Sequence, residues 1–456
     1  MDKYDSYKSS SYDWLGEIPS HWEEKFLEQT ASEKCVKNIG NTVTQVLSLS
    51  YGEIKKKSNL NKGLIAQDLS TYQIIEPGDI IMRLTDLQND HKSLRTGLVK
   101  DDGIITAAYL CLVPRISSEY LHYLLHAYDV QKVFYGMGGG VRQSIGFKDI
   151  RHMYVPVPPR AEQDQIVRFL DWKVSEINKL IGIRRKEMQE LEELKSRVIY
   201  HVVLGKDNII ENKKDTGIGW IGEIPENWDL RRIKFLFRLR DERNYKPLSE
   251  VNLLSLYSSL GVIQNKDIEY TTGNRARNAD GYKIVKANDI VVNIILCWMG
   301  AIGISDYDGV TSPAYDVYMP QKNVCSKYYH YLFRTKPFSD ECYKAGKGIM
   351  AMRWRVYSPQ FSNIIVPFPP LNEQQEIAEI LNDKCKGLDA LIAIKQEQVR
   401  KLRELKNTII SDVVTGKIDV RNVTVPEYEH VDDIADEDSE GDSDEEKTET
   451  EMGKEV

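Results

Sequence analysis

No stretch of this 456-residue chain is apolar enough to cross a bilayer. The longest apolar run, "IVVNIILCWMGAIGI" at 290–304, includes Asn293 and two glycines and falls short of the roughly 20 residues a spanning helix needs. No apolar leader opens the chain, so a cytoplasmic prokaryotic protein with no membrane partner is expected. Cysteine is scarce: Cys35, Cys111, Cys297, Cys325, Cys342 and Cys385 have no metal-ligand spacing and read as free thiols in a reducing compartment. Catalytic signatures are missing too. There is no G-x-x-x-x-G-K-[ST], H-E-x-x-H or G-x-S-x-G, and no G-x-G-x-x-G between a strand and a helix. Nor is there the Asn-Pro-Pro-aromatic or Asp-Pro-Pro-aromatic tetrapeptide with which amino-methyltransferases hold a flipped base. These absences argue against a self-sufficient enzyme and against a cofactor or metal held by this chain.

What is present is a repeat. "WLGEIPSHW" (14–22) returns as "WIGEIPENW" (220–228), at an offset of 206. "GDIIMRL" (78–84) resembles "NDIVVNI" (288–294), "AAYLCLVP" (107–114) aligns with "PAYDVYMP" (313–320), and "SEYLHYLLHA" (118–127) with "SKYYHYLFRT" (326–335). From Pro158 and Pro159 onward the offset locks at 211: "PPRAEQDQI" pairs with "PPLNEQQEI", and "VVLGK" (202–206) with "VVTGK" (413–417). A period this long is a domain duplication, not a solenoid. Each copy has a variable block followed by a more constant one. The boundaries read as 1–158, 159–205, a linker at 206–219, 220–369 and 370–416, with an acidic tail at 426–456.

Charge is unevenly spread. Residues 427–456 hold 15 Asp or Glu and 2 Lys, which turns the chain's net −8 into about +5 for the residues before them. The tail is poor in aliphatic residues and is expected to be disordered. It reads as a solubilising extension, an autoinhibitory DNA mimic or a partner-binding segment.

The constant blocks carry matched heptads. Val167, Leu170, Val174, Ile177, Ile181, Met188, Leu191, Val198 and Val202 alternate four- and three-residue steps in one copy. Ala378, Leu381, Cys385, Leu388, Ile392, Val399, Leu402, Ile409 and Val413 follow the same frame in the other. Arg184 and Lys195 interrupt the first, Lys395 and Lys406 the second, at equivalent places. Asn372 is a candidate N-cap, and Gly205 and Gly416 stand at the C-terminal caps. A rod of about 44 residues extends roughly 66 Å. Its narrow seam suits a facing rod, and the shared interruptions favour the other copy; the alternative is that each helix packs only on its own domain. Paired copies are related by a pseudo-two-fold axis. The fold class is therefore α+β, with two tandem α/β domains, each followed by a long helix, and the two helices pairing as a coiled coil.

The variable blocks mix strand-like runs ("TVTQVLSLS", "IIEPGDIIMRL", "GIITAAYLCLVP") with one amphipathic helix, "SSEYLHYLLHAYDVQKVF". His122 and His330, which are repeat partners, are expected to pack within their domains. Just before each rod lies a glycine-rich, cationic segment, "GGGVRQSIGFKDIRH" (138–152) against "GKGIMAMRWRVYSPQ" (346–360). Guanidinium groups beside glycine suit DNA, where they pair with guanine or phosphate while the backbone approaches closely. The candidate DNA contacts are Arg142, Gln143, Ser144, Lys347, Arg353 and Arg355 in these segments, with Arg83 and Asn293 at the close of the matched strands. The arginines could alternatively neutralise their own domains.

The "W-I-G-E-I-P-x-x-W" opening, the "P-P-x-x-E-Q" before each rod and the closing "V-V-x-G-K", all in duplicate, resemble the specificity subunit of type I restriction–modification systems over nearly the whole chain to about residue 420. The resemblance implies that each variable block is a target recognition domain reading one half of a split double-stranded DNA target, and that the two helices form an antiparallel coiled coil that sets the half-site spacing. It also implies two partner modification subunits that use S-adenosylmethionine to methylate adenine N6. The resemblance further implies two restriction subunits, driven by ATP with Mg, that complete the complex. The acidic tail lies outside that pattern. A structural coiled-coil adaptor joining two protein-binding domains is the alternative reading.

Overall fold

The computed structural model describes residues 2–12, 14–50, 52–57, 68–85, 87, 94–137, 145–206, 212–258, 261–267, 278–348 and 354–433. The chain divides into two compact units. One comprises Met1–Lys186 with Gln396–Ala435, the other Glu187–Lys395. This division cuts across the repeat, because each unit takes the first half of one rod and the second half of the other.

In the first unit, strands β1 (Ala31–Lys34), β2 (Ile80–Met82), β3 (Thr96–Leu98) and β4 (Leu110–Pro114) form an antiparallel sheet in the order β1-β4-β2-β3. Side chains alternate across it with the period of two that a strand imposes. Ile80, Met82 and Leu112 enter the main core with helix α1 (Ser118–Val130), whereas Ile81 and Cys111 enter a smaller core with Leu47, Leu49 and Ile75. Ser117 caps α1 by accepting from the Tyr120 backbone N–H. The rod helix α2, Arg160–Val203, follows.

The second unit repeats this plan. Strands β5 (Phe237–Leu239), β6 (Ile290–Asn293), β7 (Ile302–Ile304) and β8 (Tyr315–Pro320) take the order β5-β8-β6-β7. Ile290, Val292 and Tyr318 face the main core, and Val291 and Val317 the smaller one. The single amphipathic helix expected here is two, α3 (Ser326–Phe333) and α4 (Lys336–Ala345), because Pro337 cannot donate to a continuing helix and instead occupies the first turn of a new one. The second rod, α5, is Leu371–Val414. It begins before Asn372, which therefore lies inside the helix and is not its cap.

Both rods end as expected. Gly205 and Gly416 have φ of +60° and +76°. The backbone N–H groups of Lys206 and Lys417 reach back to the carbonyls of His201 and Asp412, closing Schellman-type ends that only glycine enters cheaply.

The heptad seam is shared with the domains. Ile177 and Ile181 cluster with Val399, Leu402 and Ile409 in the first unit, which is rod-on-rod packing. Val167, Leu170 and Val174, however, belong to that unit's main core, as Leu381 belongs to the core of the other. Ile392 is buried, and Leu191 and Leu388 are half-buried. Near its start each rod is thus built into its own domain, and the stripe there widens to include Ile166 and Phe169. In the second unit the rod segments run antiparallel: Glu187 pairs with Lys395 at 2.8 Å and Lys195 with Asp389 at 2.5 Å. Both lysines are among the expected interruptions, and both are answered by a carboxylate.

Part of the segment expected to be disordered is placed. Residues 426–433 continue an extended strap along the first unit, with Gln165 and Asn178 donating to its carbonyls. The rest of the tail, 434–456, lies outside the described residues.

Candidate nucleic-acid interface

Each unit is organised around one junction where the three duplicated motifs meet. In the first unit the Trp22 indole N–H donates to Glu162 at 2.9 Å, and Tyr4 donates to the same carboxylate at 2.7 Å. Burial and then Glu162 push the Tyr4 phenol up, keeping it a donor. In the second unit Trp228 donates to Glu373 at 2.7 Å. The adjoining glutamines do matched work. Gln163 accepts from the Ser117 backbone N–H and donates to Pro158, and Gln374 accepts from Cys325 and donates to Pro369.

The glycine of the closing motif completes each junction, and it comes from the other repeat. A Cβ on Gly416 would lie 2.3 Å from Pro19, and one on Gly205 would lie 2.7 Å from Pro225. Tyr120 and Tyr328 likewise donate to the carbonyls of Val414 and Val203 at the ends of those rods. Each domain is therefore seated on the end of the rod encoded by the other copy.

This frame holds a loop just before each rod. In the first unit the Ile145 backbone N–H donates to the carbonyl of Leu84, directly after β2. In the second, Val356 donates to Ile294, directly after β6. The two anchor points are repeat equivalents, at the corresponding corner of each unit's sheet. Lys347 and Arg355 exchange backbone hydrogen bonds of 2.9 and 3.0 Å across the root of the second loop. Arg83 stands at the first anchor, on the residue before Leu84. The structure thus brings Arg83, Lys347 and Arg355 to loop roots. Arg142, Gln143, Ser144 and Arg353 lie outside the described residues. Asn293 does not fit a DNA contact: it is buried, and its Oδ1 accepts from the backbone N–H groups of Ile295 and Leu296, stabilising the turn after β6.

Aromatic residues at these roots were not expected from the sequence. Tyr135 and Tyr343 are repeat partners at an offset of 208. Lys132 lies 4.6 Å above the Tyr135 ring, and Arg95 donates to the Tyr135 hydroxyl at 3.0 Å. On Tyr343 the ring of Trp354 stacks at 4.8 Å, and Gly346 leaves room for that indole, since a Cβ there would lie 2.3 Å from its Nε1. Flat rings beside cations form a surface that takes phosphates and unpaired bases alike. The matching tyrosines in the repeat alignment were the available signal.

The repeat-paired histidines are packed into their domains. Burial pushes His122 and His330 down to about 3 and His126 down to about 4. His330 is held neutral as the acceptor of the Ile304 backbone N–H. All six cysteines are free thiols. Among the described residues no cluster of His, Cys, Asp or Glu has the arrangement of a metal site, and no helix is long and apolar enough to cross a membrane.

Two mixed α/β units of one plan, each combining rod segments from both repeats, have counterparts among known proteins. The family model for the type I restriction modification DNA specificity domain matches residues 225–402. A putative type I restriction enzyme MjaX specificity subunit of Methanocaldococcus jannaschii is 25% identical over 439 residues, covering 89% of this chain and 96% of its own. The type I restriction enzyme MjaVIII specificity subunit of the same organism is 26% identical over 289 residues, 60% of this chain and 64% of its own. A solved structure from work on the assembly and conformational transition of a type I restriction–modification system shares the fold. Its TM-score is 0.61 at 14% identity, over 88% of this chain and 99% of that one. The chain is thus similar to type I restriction–modification specificity subunits over most of its length, with the DNA specificity domain matched at residues 225–402.

Proposed function

We propose that the chain is the sequence-reading, non-catalytic subunit of a type I restriction–modification complex, each unit reading one half of an asymmetric two-part DNA target. The observation that carries this reading is the pair of loops anchored at equivalent sheet corners. A protein reading one continuous site needs one such surface, whereas a split, non-palindromic site needs two that share a frame and differ in their contacts.

The rods support a role as scaffold for two copies of one partner. Leu180, Ile183 and Leu405 are exposed in the first unit, and their repeat equivalents Leu391, Ile394 and Leu194 are exposed in the second. Residue type is identical at all three pairs of positions. Exposed aliphatic groups retained in both copies suit two modification subunits docking alike. On this reading S-adenosylmethionine, ATP and Mg are used by the modification and restriction subunits, and the complex works in the prokaryotic cytoplasm.

The test is to purify the chain with and without its modification partner and follow methyl transfer to duplex DNA. Adenine methylation at a two-part sequence is expected only from the pair. Turnover of S-adenosylmethionine by the rigorously purified chain alone would contradict the assignment, and sequence-independent DNA binding by the pair would favour the adaptor reading.

A further inference from the structure

Residues 420–433 lie along the first half of α2 in a way the repeat does not account for. Gln165 donates to the carbonyls of Val420 and Val423 at 3.0 and 2.7 Å, and Asn178 to that of Val431 at 3.0 Å. The backbone N–H of Val431 donates to Ser175 Oγ at 3.4 Å. Lys179 and Lys100 pair with Glu429 and Asp432. Val420 is buried in the main core, and Val423 and Val425 pack against it.

The helix is written for this occupant. Gln165, Ser175 and Asn178 are buried neutral groups that read a peptide backbone. Their equivalents on α5 are Glu376, Lys386 and Asp389, all charged and all exposed. The difference alters the rod pairing. Asp389 neutralises Lys195, but the equivalent lysine, Lys406, meets the uncharged Asn178 at 3.4 Å. Lys406 is 8% exposed, and Asp433 of the strap supplies its counter-charge.

We propose that the Gln165, Ser175 and Asn178 stripe with Lys406 is a binding site for an extended acidic peptide, filled in cis by residues 420–433. The strap acts as a latch on the rod pair of the first unit. That pair is complete only while the strap is docked; the pair of the second unit carries its own carboxylate and needs none. This inference stands apart from the DNA-reading proposal, because it concerns only the chain's own packing.

Hydrogen exchange of the full-length chain tests it. In Asp433→Asn, removal of a charge-assisted hydrogen bond should raise exchange of the strap and of residues 172–181 and 399–410 by about tenfold or more. Exchange of residues 187–203 and 371–395 should stay as it was. Adding Asn178→Asp should return protection to the rod while the strap stays loose, since it recreates the Lys195–Asp389 arrangement. Unchanged rod exchange in Asp433→Asn would overturn the proposal, as would failure of Asn178→Asp to restore it.

Discussion

The two units share a frame and differ in what fills it. In both, a tryptophan donates to the glutamate that opens the rod, a glutamine ties down the neighbouring helix, and a glycine from the other repeat closes the junction. Both also pair a cation at the end of the first sheet strand with an aspartate: Lys34, the last residue of β1, with Asp79, and Arg240, just after β5, with Asp289, each at 2.8 Å. Divergence begins nearer the loops. Lys283 and Asp316 form a buried ion pair in the second unit, whereas the equivalent of Lys283 in the first is Gln73, donating to the carbonyls of Thr106 and Tyr109. Tyr343 carries Trp354; Tyr135 carries Lys132 and Arg95. Invariance at the seats and variation at the surface is what a pair of readers on one mount requires.

The largest effect should come from breaking a seat. Trp22→Ala should destabilise the first unit by about 3–5 kcal/mol, the usual cost of emptying a buried aromatic site, and Trp228→Ala the second by a similar amount. Hydrogen exchange resolved by segment checks this, and loss confined to residues of one unit in each variant is the expected outcome. Because Gly416 and Val414 belong to the first unit's seat, Trp22→Ala should also loosen the last turn of α5, more than two hundred residues further along the sequence.

Charge sharpens the comparison next. Asp389→Asn should cost less than about 1 kcal/mol in the second unit, because its pair with Lys195 is open to solvent and the new amide oxygen still accepts from the lysine. Asp433→Asn should cost more, about 1.5–3 kcal/mol, because Lys406 is buried and its remaining acceptor, Asn178, is uncharged. Thermal melting with segment-resolved exchange measures both.

Acid should separate the units through histidine. The folded-state values of His122, His126 and His330 lie below the ordinary 6.5, so the folded chain binds fewer protons than the unfolded one as pH falls. Their stabilisation is complete above about pH 6.5 and is lost progressively toward pH 3–4, at about 1.4 kcal/mol per pH unit for each histidine. The first unit holds two of them and the second one, so the first should show the steeper loss in urea titrations between pH 6.5 and 5.

The smallest effect should be at the loop roots. If Arg355 touches phosphate, Arg355→Ala should weaken binding to all sequences and lower the salt slope by about one. Binding that is unchanged at every salt concentration would remove Arg355 from the interface.

The duplication, the rods and their terminal glycines were legible because they are periodic or repeated. The seats were only half legible. Trp22, Glu162 and Gly416 each stand in a visible motif, but aligning copies pairs Gly416 with Gly205 and hides that each serves the other's domain. Asn293 looked like a contact because it aligns with Arg83; its burial under the turn after β6 is a tertiary fact. Tyr343 and Trp354 were overlooked because stacking joins residues with no common spacing. The strap was masked by averaging: residues 427–456 are strongly acidic as a whole, while Val425, Tyr428 and Val431 near their start carry ordinary anchoring groups.

The central claim is that two units on one frame read two halves of one site, and methylome sequencing of cells expressing the chain with its modification partner tests it most directly. The account predicts adenine methylation at an asymmetric two-part sequence. Replacing residues 138–144 should change one part and leave the other part and the spacing intact. Methylation at a single continuous sequence, or a loop replacement that alters both parts together, would contradict it.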